Sequence, residues 1–150
     1  MTQSLDELIH IERACIDLIM RYGHALDEWR FELMEGLFTD DAVWEVVGGP
    51  TWDGKDAIMA FWKGALAEKR LSIGRHIFNN IRVTRTGADK AGATAHVTMY
   101  RYNPNEPIVS LAPLLIGDAS FEFARSGEQW LLSRYVLNAV TVDGYVHGKN

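Results

Sequence analysis

With a single cysteine, Cys15, the 150-residue chain has no internal disulfide available and no thiolate cluster for a metal. Its apolar helical position suits Cys15 to be a buried thiol. Basic charge is also scarce: 15 Lys and Arg stand against 20 Asp and Glu, a net charge of −5. That balance argues against nucleic acid or an anionic membrane as the main partner. No stretch approaches the roughly 20 consecutive apolar residues of a membrane span. The opening MTQSLDELIH has neither a basic start nor an apolar run, so it does not read as a signal peptide. The expectation is a soluble cytoplasmic protein. A glycine-rich phosphate loop, a dinucleotide fingerprint and a histidine pair at helical ligand spacing are all missing, so neither a cofactor nor a metal is expected.

What is present reads as one α+β domain over residues 1–150. Apolar content of 47% with 23% charged residues is ordinary for a globular chain of this size. Ser4 followed by Glu7 forms a capping box that satisfies two orphan backbone donors at a helix start. Leu5, Leu8, Ile9, Cys15, Leu18, Ile19 and Tyr22 then recur at three- and four-residue spacing, one apolar stripe of an amphipathic helix. A short second helix is expected over Glu28–Leu37, a strand over Ala42–Val47, and a turn at Gly48-Gly49-Pro50 leading to Thr51-Trp52. A third helix is expected over Lys55–Lys69 with Ile58, Phe61, Trp62 and Leu66 inward.

The second half is β-rich: His76–Thr86, Ala91–Tyr102, Ile108–Ala124 and Trp130–Val140, parted by the turn signals TGADK, NPNEP and RSGEQ. Helices followed by strands imply helices on one face of a mostly antiparallel sheet, with a pocket where the sheet curls round them. Strands this long need strong curvature or a bulge.

Three residue types fit proton transfer. Asp27 reads either as the N-cap of the second helix or as a functional carboxylate, and Tyr22 either as core or as a hydroxyl at a cavity rim. His76 opens a strand, where a histidine is commonly structural. Together, however, Asp, His and Tyr are the set that abstracts a proton: the carboxylate holds one ring nitrogen and the phenol donates to oxygen gaining charge. Arg134 sits between Leu132 and Val136 by alternation, facing either the cavity or solvent. Trp44, near Val46, lies where an aromatic pocket wall would suit a flat or cyclic apolar substrate. His96 shares a face with Thr94, Thr98 and Tyr100, opposite the apolar Ala93, Ala95, Val97 and Met99, so it is left out of the site. His10, His24 and His147 read as surface residues.

The segments YGHALDEWRFELMEGLFTDDAVWEV, TWDGKDAI, GRHIFNNIRV and QWLLSRYV resemble the SnoaL-like family of the nuclear-transport-factor-2-like superfamily. The resemblance implies a cone-shaped barrel in which three helices pack on a strongly curved, mostly antiparallel sheet. The pattern is similar to scytalone dehydratase, bile acid 7α-dehydratase and hexachlorocyclohexane dehydrochlorinase, which remove a proton with an Asp–His dyad and no cofactor. By that likeness Asp27 and His76 are the dyad, Tyr22 matches the Tyr-x4-Asp arrangement of the bile acid enzyme, and Arg134 matches the dehydrochlorinase's pocket arginine. Asn80, four residues after His76, belongs with the substrate-binding set. The bile acid enzyme's second carboxylate has no counterpart, since that region reads VTMYRY.

The implied function is a cofactor-independent lyase (dehydratase or related elimination) or isomerase acting on an apolar cyclic small molecule. The resemblance also implies self-association as a homodimer or homotrimer. Two other functions fit the same fold: a structural β subunit of a ring-hydroxylating dioxygenase, and a hydrophobic-ligand-binding module.

Overall fold

The computed structural model describes residues 4–67, 73–102, 107, 112–142 and 145–146. His147, most of the NPNEP turn, residues 68–69 of the third helix and residues 108–111 lie outside the described residues. Three helices, α1 (Leu5–Asp27), α2 (Phe31–Glu35) and α3 (Lys55–Ala67), accompany strands β1 (Phe38–Val46), β2 (Thr51–Asp53), β3 (Ile73–Arg85), β4 (Lys90–Tyr102), β5 (Leu115–Ser126), β6 (Gln129–Val142) and β7 (Tyr145–Val146). The sheet order is β2-β1-β6-β5-β4-β3, with β7 added to β6. Pairing is antiparallel except between β1 and β6. The fold is α+β as expected, with the refinement that the curved sheet stays open: β2 and β3 form its edges rather than closing a barrel.

Helix α1 begins where the sequence places it, with the Ser4 hydroxyl accepting from the Glu7 N–H. Its buried face is Ile11, Cys15, Leu18, Ile19, Tyr22 and Leu26. The first turn of the expected stripe is not used: Leu5 is 72% exposed, Ile9 49% and Leu8 41%. The helix overhangs the sheet there, so periodicity continues past the surface it could cover. The second helix is shorter than expected, with a non-helical turn over Glu28 to Arg30. There Trp29 takes a left-handed φ of 55°, and the Arg30 N–H closes back on the Ala25 carbonyl. Helix α3 buries Ile58, Met59 and Ala65, whereas Leu66 points to solvent.

Bulges supply the curvature. The β3–β4 register shifts between Asn79 and Arg82, and the β5–β6 register shifts at Ile116/Gly117 and at Glu122/Phe123. The core lies between α1 and the inward face of β4, β5 and β6, where the small Ala91, Ala93 and Ala95 oppose Phe121 and Phe123. The alanine row leaves room for the aromatic rings and for the helix crossing above them. Among the described residues, no helix is long and apolar enough to cross a membrane.

Candidate active site

Gly23 decides how α1 meets β3. A β-carbon there would sit 3.3 Å from Phe78 Cε2 and 4.0 Å from the His76 carbonyl oxygen, so the missing side chain is what lets the strand lie across the last turn of the helix. Helix α1 stays regular through Gly23 and ends at Asp27. Asp27 therefore does not cap α2, whose N-cap Arg30 makes no side-chain capping bond.

At that crossing Asp27 is held by His76 in three ways. Both carboxylate oxygens accept from the His76 backbone N–H at 3.0 Å, and Oδ1 lies 2.7 Å from the ring Nδ1. The side chains are only 11% and 17% exposed. A carboxylate accepts and does not donate, so Nδ1 carries the hydrogen and Nε2 is the basic nitrogen.

Beside this pair is a cavity of about 190 Å³ with Tyr22, Trp29, Phe31, Trp44, Trp62 and Tyr135 among its walls. The Trp44 indole donates to the Tyr22 hydroxyl at 2.7 Å, and Tyr135 packs against both rings at 5.3 Å from Tyr22 and 5.5 Å from Trp44. With its oxygen already accepting, the Tyr22 hydroxyl keeps its own proton to donate elsewhere. Burial holds the Tyr22 phenol well above its ordinary value, and burial raises Tyr135 likewise, so both remain neutral donors. The cavity is apolar apart from a few converging polar groups, the usual composition of a small-molecule site.

Asp27, His76, Tyr22 and Trp44 come together at this cavity. Asn80 and Arg134 do not, and bulges are the reason for both. In β3, Asn80 is the extra residue of the bulge, with φ 51°; it points outward, where its side-chain nitrogen lies 3.0 Å from His96 Nδ1. In β6, Glu122 pairs with Arg134 and Phe123 with Leu132, leaving Ser133 unpaired. Alternation therefore slips by one: Leu132 and Tyr135 face the core, while Arg134 turns outward to an ion pair with Glu45. Tyr135, hidden by the same slip, is a wall residue that alternation did not find.

Among the described residues, the cation that lines the cavity is Arg101. It continues the inward row Ala91, Ala93, Ala95, Val97, Met99, so simple alternation along β4 contained that signal. His96 is exposed on the opposite face, 3.9 Å from Asp118. His10 and His24 are exposed as expected. Among the described residues, no group of three His, Cys, Asp or Glu side chains could hold a metal.

Residues 7–136 match a family described as a SnoaL-like domain. No curated protein matches the chain in sequence. A solved structure of a candidate scytalone dehydratase from Novosphingobium aromaticivorans superposes with a TM-score of 0.81 at 19% identity, covering 97% of this chain and 94% of that one. A hexachlorocyclohexane dehydrochlorinase of type 2 gives 0.79 at 17% identity, over 98% and 97%. The β subunit of a candidate aromatic-ring-hydroxylating dioxygenase, also from Novosphingobium aromaticivorans, gives 0.77 at 20% identity, over 90% and 92%. At these identities the likeness is one of fold.

Proposed function

Since the SnoaL-like domain spans residues 7–136, the chain belongs to that family, and on that footing we propose that it is a cofactor-independent lyase or isomerase acting on a small, mostly apolar ring compound. The observation that carries this reading is the Asp27–His76 contact at 2.7 Å beside an aromatic cavity. His76 Nε2 takes a proton from a carbon next to the bond that breaks. The C–H electron pair becomes the new double bond, and the leaving group departs with its own bonding electrons. In the isomerase variant the electrons move into a carbonyl, and the proton returns at another carbon. Asp27 fixes the tautomer and stabilises the imidazolium, and Tyr22 donates to the oxygen that gains charge.

The cavity limits the substrate. About 190 Å³ is on the scale of a cavity of roughly 150 Å³ that encloses benzene, so one six-membered ring fits inside. A larger ring system would have to project through the mouth. The dehydratase and dehydrochlorinase neighbours support elimination as the chemistry. In this reading the protein works in the cytoplasm as a homodimer or homotrimer, with the exposed Ile77, Ile116 and Val140 on the sheet's outer face as the surface for self-association.

Assays of halogenated and hydroxylated cyclohexane derivatives test the proposal. Turnover by the wild type that disappears in His76→Ala, with the circular dichroism spectrum unchanged, is the expected result. Undiminished turnover in that variant would remove the mechanism.

A second reading draws on the dioxygenase β-subunit neighbour: a non-catalytic subunit beneath an iron-bearing partner. Co-purification with a larger iron–sulfur protein, and no turnover by the isolated chain, would select it. Saturable ligand binding without product would instead mark a binding module.

A further inference from the structure

We infer that Arg101 makes the cavity selective for ring compounds bearing an anionic oxygen substituent, a carboxylate in the simplest case, held at the mouth while the ring lies among the aromatic walls. The register of β3 and β4 carries the argument. Gly74 pairs with Arg101, and His76 pairs with Met99. Cross-strand partners share a face, so Arg101 and His76 are diagonal neighbours on the inward side, about 7–8 Å apart at the backbone. A guanidinium on that base reaches a substituent only a few bonds from the carbon whose proton faces His76.

Gly74 keeps the approach open. Its side of the pair contributes no side chain, and a β-carbon there would already touch the Tyr100 carbonyl and stand 3.9 Å from Asp27 Oδ1. Directly across β3, therefore, no side chain stands opposite Arg101. It is exposed, as a residue at a mouth must be if the group it holds projects from a cavity sized for one ring.

Charge balance points the same way. Among the described residues lining the cavity, Arg101 is the permanent cation and Asp27 the carboxylate, so the two cancel while the imidazole is neutral. A single negative substituent then faces no unpaired carboxylate, because Asp27 is already held by three contacts to His76. Arginine meets a carboxylate through two parallel N–H donors, a geometry that lysine lacks.

The inference deepens the proposed function by naming its substrate class, yet its test needs no turnover. Cyclohexanecarboxylate and cyclohexanecarboxamide match in shape and differ in charge. Quenching of tryptophan fluorescence, with Trp29, Trp44 and Trp62 in the cavity wall, reports their binding. The wild type should prefer the carboxylate by about tenfold or more, less so as salt rises. Arg101→Gln should abolish the preference while the carboxamide binds as before, and Arg101→Lys should keep part of it. The readout is binding rather than elimination, which separates this inference from the catalytic one: a failed elimination mechanism leaves the preference standing. Equal affinities in the wild type, no saturable binding of either compound, or an unchanged preference in Arg101→Gln would each overturn the assignment.

Discussion

Phe78 Cε2 lies 3.3 Å from the point where a β-carbon on Gly23 would stand, and this absence of one methyl sets the distance between helix α1 and the strand that carries His76. Alanine at this position would gain about 1 kcal/mol of helix propensity over glycine but must push the Phe78 ring aside. A larger side chain must move the strand. Gly23→Val is expected to keep the far-ultraviolet dichroism of the fold while turnover falls by about 100-fold, because a shift near 1 Å at the reacting groups has that order of effect. Steady-state kinetics beside thermal unfolding checks this. Equal activity in Gly23→Val would mean that the close approach does not set the catalytic geometry.

Tyr22→Phe removes the acceptor of the Trp44 indole hydrogen as well as the hydroxyl that faces the cavity. A buried donor left without a partner costs about 1–3 kcal/mol, so urea unfolding should show a loss in that range. Turnover should fall together with stability. A variant with wild-type stability would show that the Trp44 hydrogen finds another acceptor.

How much of this was legible in the sequence divides along a physical line. The helix cap at Ser4, the inward stripe from Cys15 to Tyr22, the order of helices and strands, and the residue types at Asp27 and His76 all follow from local periodicity and chemistry. The resemblance puts Asn80 and Arg134 in the substrate-binding set, but each lies at a bulge that adds one residue and turns its side chain outward, whereas simple alternation assumes an unbroken pleat. The pattern cannot mark which residue of a long strand will be the extra one. The exposed Leu5, Leu8 and Ile9 have the opposite cause: their periodicity is intact, but the sheet does not extend far enough to cover them. Arg101 is legible in the same alternation along β4 that turns His96 outward, whereas the family likeness points to Arg134.

Arg134→Ala should consequently leave turnover close to that of the wild type. Its ion pair with Glu45 is partly exposed, with the two side chains 41% and 29% accessible, so stability should change by no more than about 1 kcal/mol. Chemical denaturation and kinetics on the same preparation measure both quantities. A large loss of activity would return Arg134 to the site.

Alkaline pH probes the buried phenols. Tyr22 and Tyr135 are both raised by burial, so the folded protein keeps their protons under conditions in which the unfolded chain, near pH 10, releases them. Their contribution to stability is complete below pH 10 and declines as pH climbs beyond it. Absorbance at the tyrosinate band should show these two phenols ionising only as the protein unfolds. Ionisation of all tyrosines in a single early step, with the fold intact, would contradict their burial.

Cys15 is fully buried, and its thiol is pushed up to about 12 by desolvation. Thiol reagents at neutral pH should leave the native protein unmodified and label it once denaturant is added. Rapid labelling of the native chain would show that α1 detaches from the sheet.

Hydrogen exchange at carbon offers the most direct test of proton abstraction by His76 supported by Asp27, because it reads that step without requiring the natural leaving group. Cyclohexanone incubated with the protein in deuterium oxide should gain deuterium beside its carbonyl, followed by nuclear magnetic resonance, at a rate well above that in buffer. His76→Ala and Asp27→Asn should each return the rate to the buffer level. Exchange that proceeds as fast in both variants as in the wild type would contradict the account.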